Sequence, residues 1–384
     1  MTPPPGLLIY SQRFSAYSYG DFHPFKVQRY RMTFELMRAL RLCDPPQVQM
    51  RECPLAREEE LLRFHRGDYL TALAGFNGSG CGGADFYFGL GDVENPVFEG
   101  VYDWARLACG GTLEAVRRVN DGSCRLAFNM AGGWHHAQAA RAAGFSYLND
   151  AVVAIKELVR RRKRVAYVDL DAHHGDGVQN AFYDSNRVLT ISIHETGRDF
   201  FPQTGMVREM GRGKGYGYAV NVPLLPHSDD VILEQALRRV VLPLVTAFKP
   251  DLLITQMGAD CLRTDPLTRL EGTTGFFELA ARSFLRTGLP WVILGGGGYD
   301  WLNVARAWSL VWGTALEVPL PDELPEAFQD LLAEQGIRAY RLRDLPHTAL
   351  PSDFYPAQQS FEKVLEFLER KLFPLHGLQP GEGL

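Results

Sequence analysis

The 384-residue sequence lacks the cysteine spacing of a thiolate metal site or of a disulfide framework. Its six cysteines form no C-x-x-C pair, so we expect free thiols in a reducing compartment. The chain also lacks a long apolar run and, at its start, the basic and apolar segments of a secretory signal. We therefore expect a cytoplasmic protein that does not bind membranes.

An excess of positive charge is absent as well. The net charge of −5 gives no bulk electrostatic attraction to nucleic acid. The basic run 158–164 ends a predicted helix, where cations complement the helix dipole. We therefore expect no direct contact with nucleic acid.

Short apolar runs, rich in β-branched and aromatic residues, predict strands that are covered on both faces. The clearest five are 124–130, 164–170, 187–194, 251–257 and 291–295. Helical patterns between them, such as 147–162 and 229–248, imply right-handed crossovers and a largely parallel sheet. We expect a single-domain, three-layer α/β/α fold over 1–384, with a helix-rich part from about 315 to 384 packed on it. The glycine-rich stretch 75–91 predicts a long surface loop, whose role stays open.

Polar side chains follow four of these runs, where each predicted strand ends. They are His135 and His136, then Asp171, His173 and Asp176, then Asp260, and last Tyr299. Ligands of open parallel sheets bind beyond the carboxyl ends of the strands. We therefore expect these groups to meet at one site.

Asp171, His173 and Asp260 are residue types that bind divalent metals. Three protein ligands with an open position are typical of catalytic zinc, although so oxygen-rich a set leaves Fe²⁺, Co²⁺ and Mn²⁺ open. An isolated D-x-D-x-H is a modest signal, because charged strand ends are common. Several converging strand ends make a metal site the better interpretation.

The remaining polar groups suit hydrolysis. His135 and His136 are adjacent, and Asp169 and Asp176 could each accept an N–H from one imidazole, which fixes its tautomer. Such a pair can take a proton from water and return one to a leaving amine. Tyr299 could donate to the oxyanion of a tetrahedral intermediate.

These motifs, in this order, resemble the zinc-dependent histone deacetylase superfamily, and most closely its class I-like enzymes and the bacterial acetoin-utilisation deacetylases. The resemblance rests on "HPFKVQRYRM", "PVFEGVYDWARLACGGTLEA", "AGGWHHA", "GFSYLNDAVVAI", "DLDAHHGDGVQNAFY", "FFPQTG", "GADCLRTDPL" and "LGGGGYDWLNVARAW". It implies an arginase/deacetylase-like fold, a zinc ion held by the three metal-type residues, and removal of acetyl groups from lysine side chains.

The resemblance also implies roles for the other polar groups. His136, oriented by Asp176, would be the main general base. His135, paired with Asp169, would give electrostatic or general-acid help. Tyr299 would polarise the amide carbonyl.

The resemblance extends to residues around the reaction centre. Gly144, Phe145 and Phe201 match the walls of a narrow acyl-lysine channel, and Arg29 matches the arginine of an internal acetate cavity. The family also binds a structural potassium ion, through groups that match Asp169, Asp171, His173, Ser192 and Ile193. Nothing in the sequence links His65 or His194 to the site, so we expect them to be structural.

Two positions near the substrate depart from the class I pattern. Glu94 stands where those enzymes have a rim aspartate, although Asp92 could substitute for it. Leu267 stands where polyamine-selective relatives have a glutamate, which weighs against a polyamine preference.

The sequence thus predicts a metal-dependent hydrolase that removes acetyl groups from lysines of a protein or peptide. Three alternatives stay open: an acetylpolyamine deacetylase, a catalytically inactive module that binds acyl-lysine or polyamine, and a ureohydrolase of the arginase type. The last needs a second metal, but Leu262 stands where its further carboxylate would be. Acyl length, physiological substrate and oligomeric state are not predicted.

Overall fold

The computed structural model describes residues 6–78, 83–379 and 381. Its eight strands are β1 (Gly6–Ile9), β2 (Val48–Arg51), β3 (Leu126–Asn129), β4 (Val165–Asp169), β5 (Val188–Glu195), β6 (Ala219–Leu224), β7 (Leu252–Gln256) and β8 (Trp291–Leu294). They form one sheet in the order β2-β1-β3-β8-β7-β4-β5-β6, and every pair is parallel. The predicted α/β class with a largely parallel central sheet is confirmed.

The α-helices lie mainly between the strands. They are α1 (Gln28–Ala39), α2 (Glu58–Leu61), α3 (Gly67–Gly75), α4 (Val101–Asn120), α5 (Asp150–Arg160), α6 (Asp176–Phe182), α7 (Asp230–Ala236), α8 (Leu242–Phe248), α9 (Thr274–Arg286), α10 (Trp301–Ala315), α11 (Glu326–Ala333) and α12 (Pro351–Lys371). Helix α4 packs on α5, whereas α10 packs on α1 and α9. These two groups are the outer layers of the three-layer architecture.

The five predicted strands are present, each within two residues of its apolar run. Every residue of β4, β5, β6, β7 and β8 is buried, as expected for strands that are covered on both faces. The two short strands at one edge, β1 and β2, were not predicted. In β2 only the first residue is buried, so its pattern gives little signal.

The predicted helix 229–248 is interrupted. Helix α7 passes into one π-helical segment, Leu237–Val241, before α8 begins. Pro243, in the first turn of α8, lacks the N–H that a continuous α-helix would use. The N–H of Leu242, the residue before Pro243, bonds the carbonyl of Leu237 five residues back, which is the π-helical pattern.

The helix-rich end of the chain lies against the body of the fold. Phe361, Leu365 and Leu368 of α12 belong to the same apolar core as the strands, and α12 contacts β6 and α7. A single domain over 1–384 stays a prediction, since residues 1–5, 79–82, 380 and 382–384 lie outside the described part. Part of the predicted loop 75–91 lies there too.

In the described ranges, no helix has both the length and the apolarity to cross a membrane. The five cysteines in the same ranges are all free.

Candidate active site

The carboxyl ends of β4, β7 and β8 lie side by side, because β7 pairs with both of the others. Strand β4 ends just before Asp171 and His173, and β7 ends four residues before Asp260. Strand β8 leads through four glycines to Tyr299. The strand order therefore brings together residues that are far apart in the sequence.

Asp171, His173 and Asp260 form a buried group whose ligand atoms all lie within 4.8 Å of one another. Nδ1 of His173 is 3.2 Å from Oδ1 of Asp171 and 3.0 Å from Oδ2 of Asp260. Burial opposes a charge on His173, yet its bonds to the two carboxylates raise its pKa to about 10. Two buried carboxylates this close require a cation, so these residues fit a divalent metal.

One oxygen of each carboxylate is anchored by N–H groups of the protein. Oδ2 of Asp171 accepts from the Gln256 side chain at 2.6 Å and from the Gly297 backbone at 2.7 Å. Oδ1 of Asp260 accepts from a backbone N–H at 2.8 Å. These bonds orient the other oxygen of each carboxylate towards the metal group. Gln256 was missed from the sequence, although a lone amide inside an apolar strand was its signal.

A hydrogen-bonded chain joins the two histidines to the carboxylates expected beside them. Nδ1 of His135 donates to Asp169 at 2.8 Å, and Nδ1 of His136 donates to Asp176 at 2.8 Å. The two Nε2 atoms face each other at 2.9 Å. Since both Nδ1 atoms donate to carboxylates, a single proton lies between the two Nε2 atoms.

The surrounding charges decide which ring holds that proton. Burial lowers the pKa of His135, but the carboxylates of Asp169 and Asp171 outweigh burial and raise it to about 9. Burial, together with the charge of His135, holds the pKa of His136 well below its usual range. Burial raises the pKa of Asp176 to about 6. His135 is therefore the cation, and His136 is a neutral acceptor.

Phe145 and Phe201 both lie against candidate catalytic rings. The Phe201 ring is 4.9 Å from the His136 ring, and the Phe145 ring packs edge-on against Tyr299 at 5.7 Å. Gly144 has a φ of +50°, and a Cβ there would lie 2.3 Å from Cδ2 of His136. Only glycine fits at this position, between Phe201 of the channel wall and His136.

A cavity of about 20 Å³, room for about one water molecule, adjoins the site and is lined in part by Phe25, Trp134, His135 and Tyr299. Arg29 lies behind this lining. Its guanidinium is 4.3 Å from the Phe25 ring and donates to the carbonyls of Gly296 and Gly298. Arg29 thus supports the glycine run, and its part in acetate release stays a prediction.

Two further residues contact the site and were missed. Asp265 accepts from the Tyr299 N–H at 2.7 Å and from the Leu267 N–H at 3.0 Å. Burial and the charge of Asp260 raise the pKa of Asp265, whereas its two backbone N–H bonds lower it. Phe200 stacks on His173 with ring centroids 4.6 Å apart. Neither position carried a signal in the sequence, because each depends on how a loop folds back.

The rim residues are placed by loop hydrogen bonds. Asp92 accepts from the N–H groups of Glu94 and Asn95, so it shapes its own loop. Oε2 of Glu94 accepts from the Gly144 N–H at 3.2 Å, which ties this loop to the channel wall. Leu267 is partly exposed beside Asp265.

The groups predicted for potassium lie along β4 and β5. Asp169 and Ser192 are direct partners in the register of these strands, and Ile193 follows. His194 bonds Ser192 and the carbonyl of Gly205. His65 accepts from a backbone N–H within the core. These contacts give neither His194 nor His65 a part in the reaction centre.

Across the described ranges, Asp171, His173 and Asp260 are the one such group that could hold a metal. Leu262, at the position where an arginase-type site would need another carboxylate, is a buried apolar residue. The geometry favours one metal ion over two.

An eight-stranded parallel sheet with this group of residues beyond the carboxyl ends of its central strands defines an α/β protein of the arginase/deacetylase-like class. The Histone deacetylase domain family matches residues 23–315. The chain belongs to the histone deacetylase family.

Among curated relatives, the chain is 41% identical over 315 residues to the acetoin utilization protein AcuC of Bacillus subtilis, covering 80% of this chain and 81% of that protein. It is 38% identical over 319 residues to human histone deacetylase 1, covering 80% of this chain and 64% of that protein.

Two solved structures share the fold. A histone deacetylase homologue from Aquifex aeolicus matches 94% of this chain and all of its own, with a TM-score of 0.85 and 32% identity. A homologue complexed with SAHA has the same coverage, a TM-score of 0.83 and 31% identity.

Proposed function

We propose that this protein hydrolyses the amide of acetylated lysine side chains in proteins or peptides, with one divalent metal ion, zinc in the first instance. The observation that carries the proposal is the convergence on one site of a group that could hold a metal, a buried neutral histidine and a half-buried tyrosine. Membership of the deacetylase family supports the same reaction. The relative solved with SAHA supports binding of an organic ligand by this fold.

Asp171, His173 and Asp260 would hold the metal. When bound, the ion supplies Lewis acidity to the amide carbonyl and to a water molecule. Fe²⁺ or Co²⁺ would suit the same oxygen-rich set. A structural potassium ion, held by Asp169, Asp171, His173, Ser192 and Ile193, stays a proposal that the pairing of β4 with β5 supports.

His136 takes the proton of the attacking water. Its Nε2 exchanges the bond from His135 for one from water, and its Nδ1 stays bonded to Asp176, whose carboxylate stabilises the imidazolium that forms. His135 stays bonded to Asp169, and the carboxylates of Asp169 and Asp171 favour its charged form, so it places a positive charge beside His136.

Tyr299 donates to the carbonyl oxygen. Burial and the nearby carboxylates keep its pKa well above the usual range, so the phenol stays protonated. Its O–H is therefore available to the oxyanion. When the intermediate collapses, a protonated histidine gives its proton to the leaving amine.

Acetate release tests the proposal. Acetyl-lysine peptides and acetylpolyamines are assayed in parallel with metal-loaded protein, chelated protein and the Tyr299→Phe variant. Metal-dependent release from peptides, lost in the variant, is the expected result. Faster release from polyamines would support the alternative substrate. No release from either, with metal bound, would contradict hydrolysis and favour a binding module.

A further inference from the structure

Four large apolar side chains stand in water on the loops beside the channel. Phe22 is 103% exposed, Val93 is 94% exposed, and Phe86 and Tyr87 are 67% and 72% exposed. We call these four residues the entrance rim. Single exposed apolar residues are ordinary, but several of them on loops beside one site mark a binding surface.

Contacts tie Phe22 and Val93 to the channel wall. Phe22 precedes His23, whose ring packs on Phe145 at 4.5 Å. Nε2 of His23 also lies 3.2 Å from the carbonyl of Glu94, the residue after Val93. Phe22 and Val93 are therefore each next in sequence to a residue that is tied to the channel wall.

Phe86 and Tyr87 lie on a second loop that adjoins the channel wall. Nη1 of Arg141 donates to both of their carbonyls, at 3.3 and 3.4 Å. The N–H of Ala142, two residues before Gly144, bonds the carbonyl of Phe88. This loop thus lies directly on the segment that leads into the channel wall.

We propose that the entrance rim selects acetyl-lysines whose neighbouring residues are apolar, which names the substrate class of the proposed deacetylase and rests on that function. A side chain inserted in a narrow channel leaves its own backbone at the entrance, so the adjacent residues of a bound peptide must cover the rim. A peptide with apolar neighbours binds more tightly because it removes these apolar side chains from water.

The charges at the entrance are of both signs. Arg141 is an exposed cation that donates to the carbonyls of Phe86 and Tyr87. Asp92 and Glu94 lie on the neighbouring loop, and the backbone bonds that they accept do not remove their charge. A basic neighbour therefore meets attraction and repulsion together, and only an apolar neighbour gains by covering the rim.

The test compares peptides of equal length. Acetyl-lysine is flanked by Leu and Phe, by Lys and Arg, or by Gly and Ser, and acetyl-lysine methylamide serves as a substrate without neighbours. The full chain is assayed beside a Phe22→Ser/Val93→Ser double variant. We expect kcat/KM for the apolar peptide to exceed that for the basic peptide by about tenfold, mainly through KM. The double variant should lose this ratio and keep wild-type kcat/KM on the methylamide.

A matched control uses Leu350→Ser/Tyr355→Ser. These residues are 69% and 65% exposed at the start of α12, which packs on the far edge strand β6. This variant should keep the full peptide preference. If this control variant lost the peptide preference, the proposal would be overturned, because removal of exposed apolar surface anywhere on the protein would then have the same effect.

Three other results would also overturn the rim proposal. These are equal kcat/KM for all three peptides, a preference for the basic peptide, and a dimer by sedimentation that the rim substitutions dissociate, since a second copy would then cover the rim. Failure of the proposed function differs from all three, because no substrate, including the methylamide, would release acetate.

Discussion

The carboxylate of Asp265 accepts a hydrogen bond from the backbone N–H of Tyr299, with 2.7 Å between Oδ2 and N. Tyr299 follows four glycines, two of which have positive φ, so its own segment gives it little rigidity. The same carboxylate holds the Leu267 N–H. Asp265 therefore fixes Tyr299 and the loop that carries Leu267 at once.

The Asp265→Asn variant should lower kcat about tenfold with little change in KM, because an amide offers one acceptor oxygen where two N–H groups need one each. Steady-state kinetics on a peptide substrate measure both constants. Asp300→Asn is the matched control, since Asn also caps the α10 N–H groups that Asp300 now holds. Equal effects on kcat in the two variants would contradict a specific role of Asp265 in positioning Tyr299.

Tyr299→Phe should lower kcat by about 10² to 10³ because it removes one donor to the oxyanion. The ring contacts with Phe145 and His173 are kept, so the melting temperature should stay within about 2 °C of wild type. Calorimetry and acetate release measure the two effects. A large fall in melting temperature would assign the loss to folding instead.

Chelation should abolish activity, and Zn²⁺, Co²⁺ or Fe²⁺ should restore it. Elemental analysis should find close to one metal ion per chain, whereas an arginase-type site would bind two. Asp260→Asn should lower both metal content and kcat, the latter by more than about a hundredfold. Asp184→Asn, at an exposed carboxylate paired with Arg212, should change neither.

Gly144→Ala should impair the enzyme because the added Cβ meets His136 and Phe201 and the backbone has positive φ. We expect a loss of stability of about 1–3 kcal/mol and a lower kcat, since His136 must move. Urea unfolding and kinetics measure these. Gly75→Ala, at a helical position with open space, should be neutral or slightly stabilising.

Acid should weaken the fold through Glu157. Burial alone would raise its pKa, but hydrogen bonds and charge from Arg117 and Arg63 lower it to about 2. Since the unfolded value is about 4.3, the ionised group stabilises the fold above that pH, and this stabilisation disappears as the pH falls towards 2.

The Glu157→Gln variant should therefore be less stable than wild type at pH 7. This difference in unfolding free energy should shrink as the pH falls. We expect the variant to lose about 2 kcal/mol of unfolding free energy at pH 7. This loss is smaller than for a fully buried pair because Arg117 and Arg161 reach solvent. Urea midpoints between pH 3 and 7 measure it. Glu366→Gln, in an exposed pair with Arg370, should show no such pH dependence.

The sequence predicts the centre of the sheet and the polar groups at its edge, because a buried strand followed by charged residues is a local pattern. It does not predict Asp265, whose partner Tyr299 lies 34 residues away and meets it only through loop folding. Phe200 and Phe201 are adjacent aromatic residues, and only the backbone decides which ring stacks on His173. Edge strand β2 was missed because its burial pattern is weak.

The strand order also determines how much of the chain must be synthesised before this site can form. Strand β8, which carries the chain to Tyr299, is inserted between β3 and β7 in the middle of the sheet. A nascent chain that has not yet released residues 291–299 from the ribosome therefore has a gap at its centre. Until that gap is filled, Asp171 lacks the Gly297 bond that orients it. The reaction centre is therefore complete only after Tyr299 has left the ribosome, and a truncation before β8 removes both Tyr299 and the Gly297 bond to Asp171.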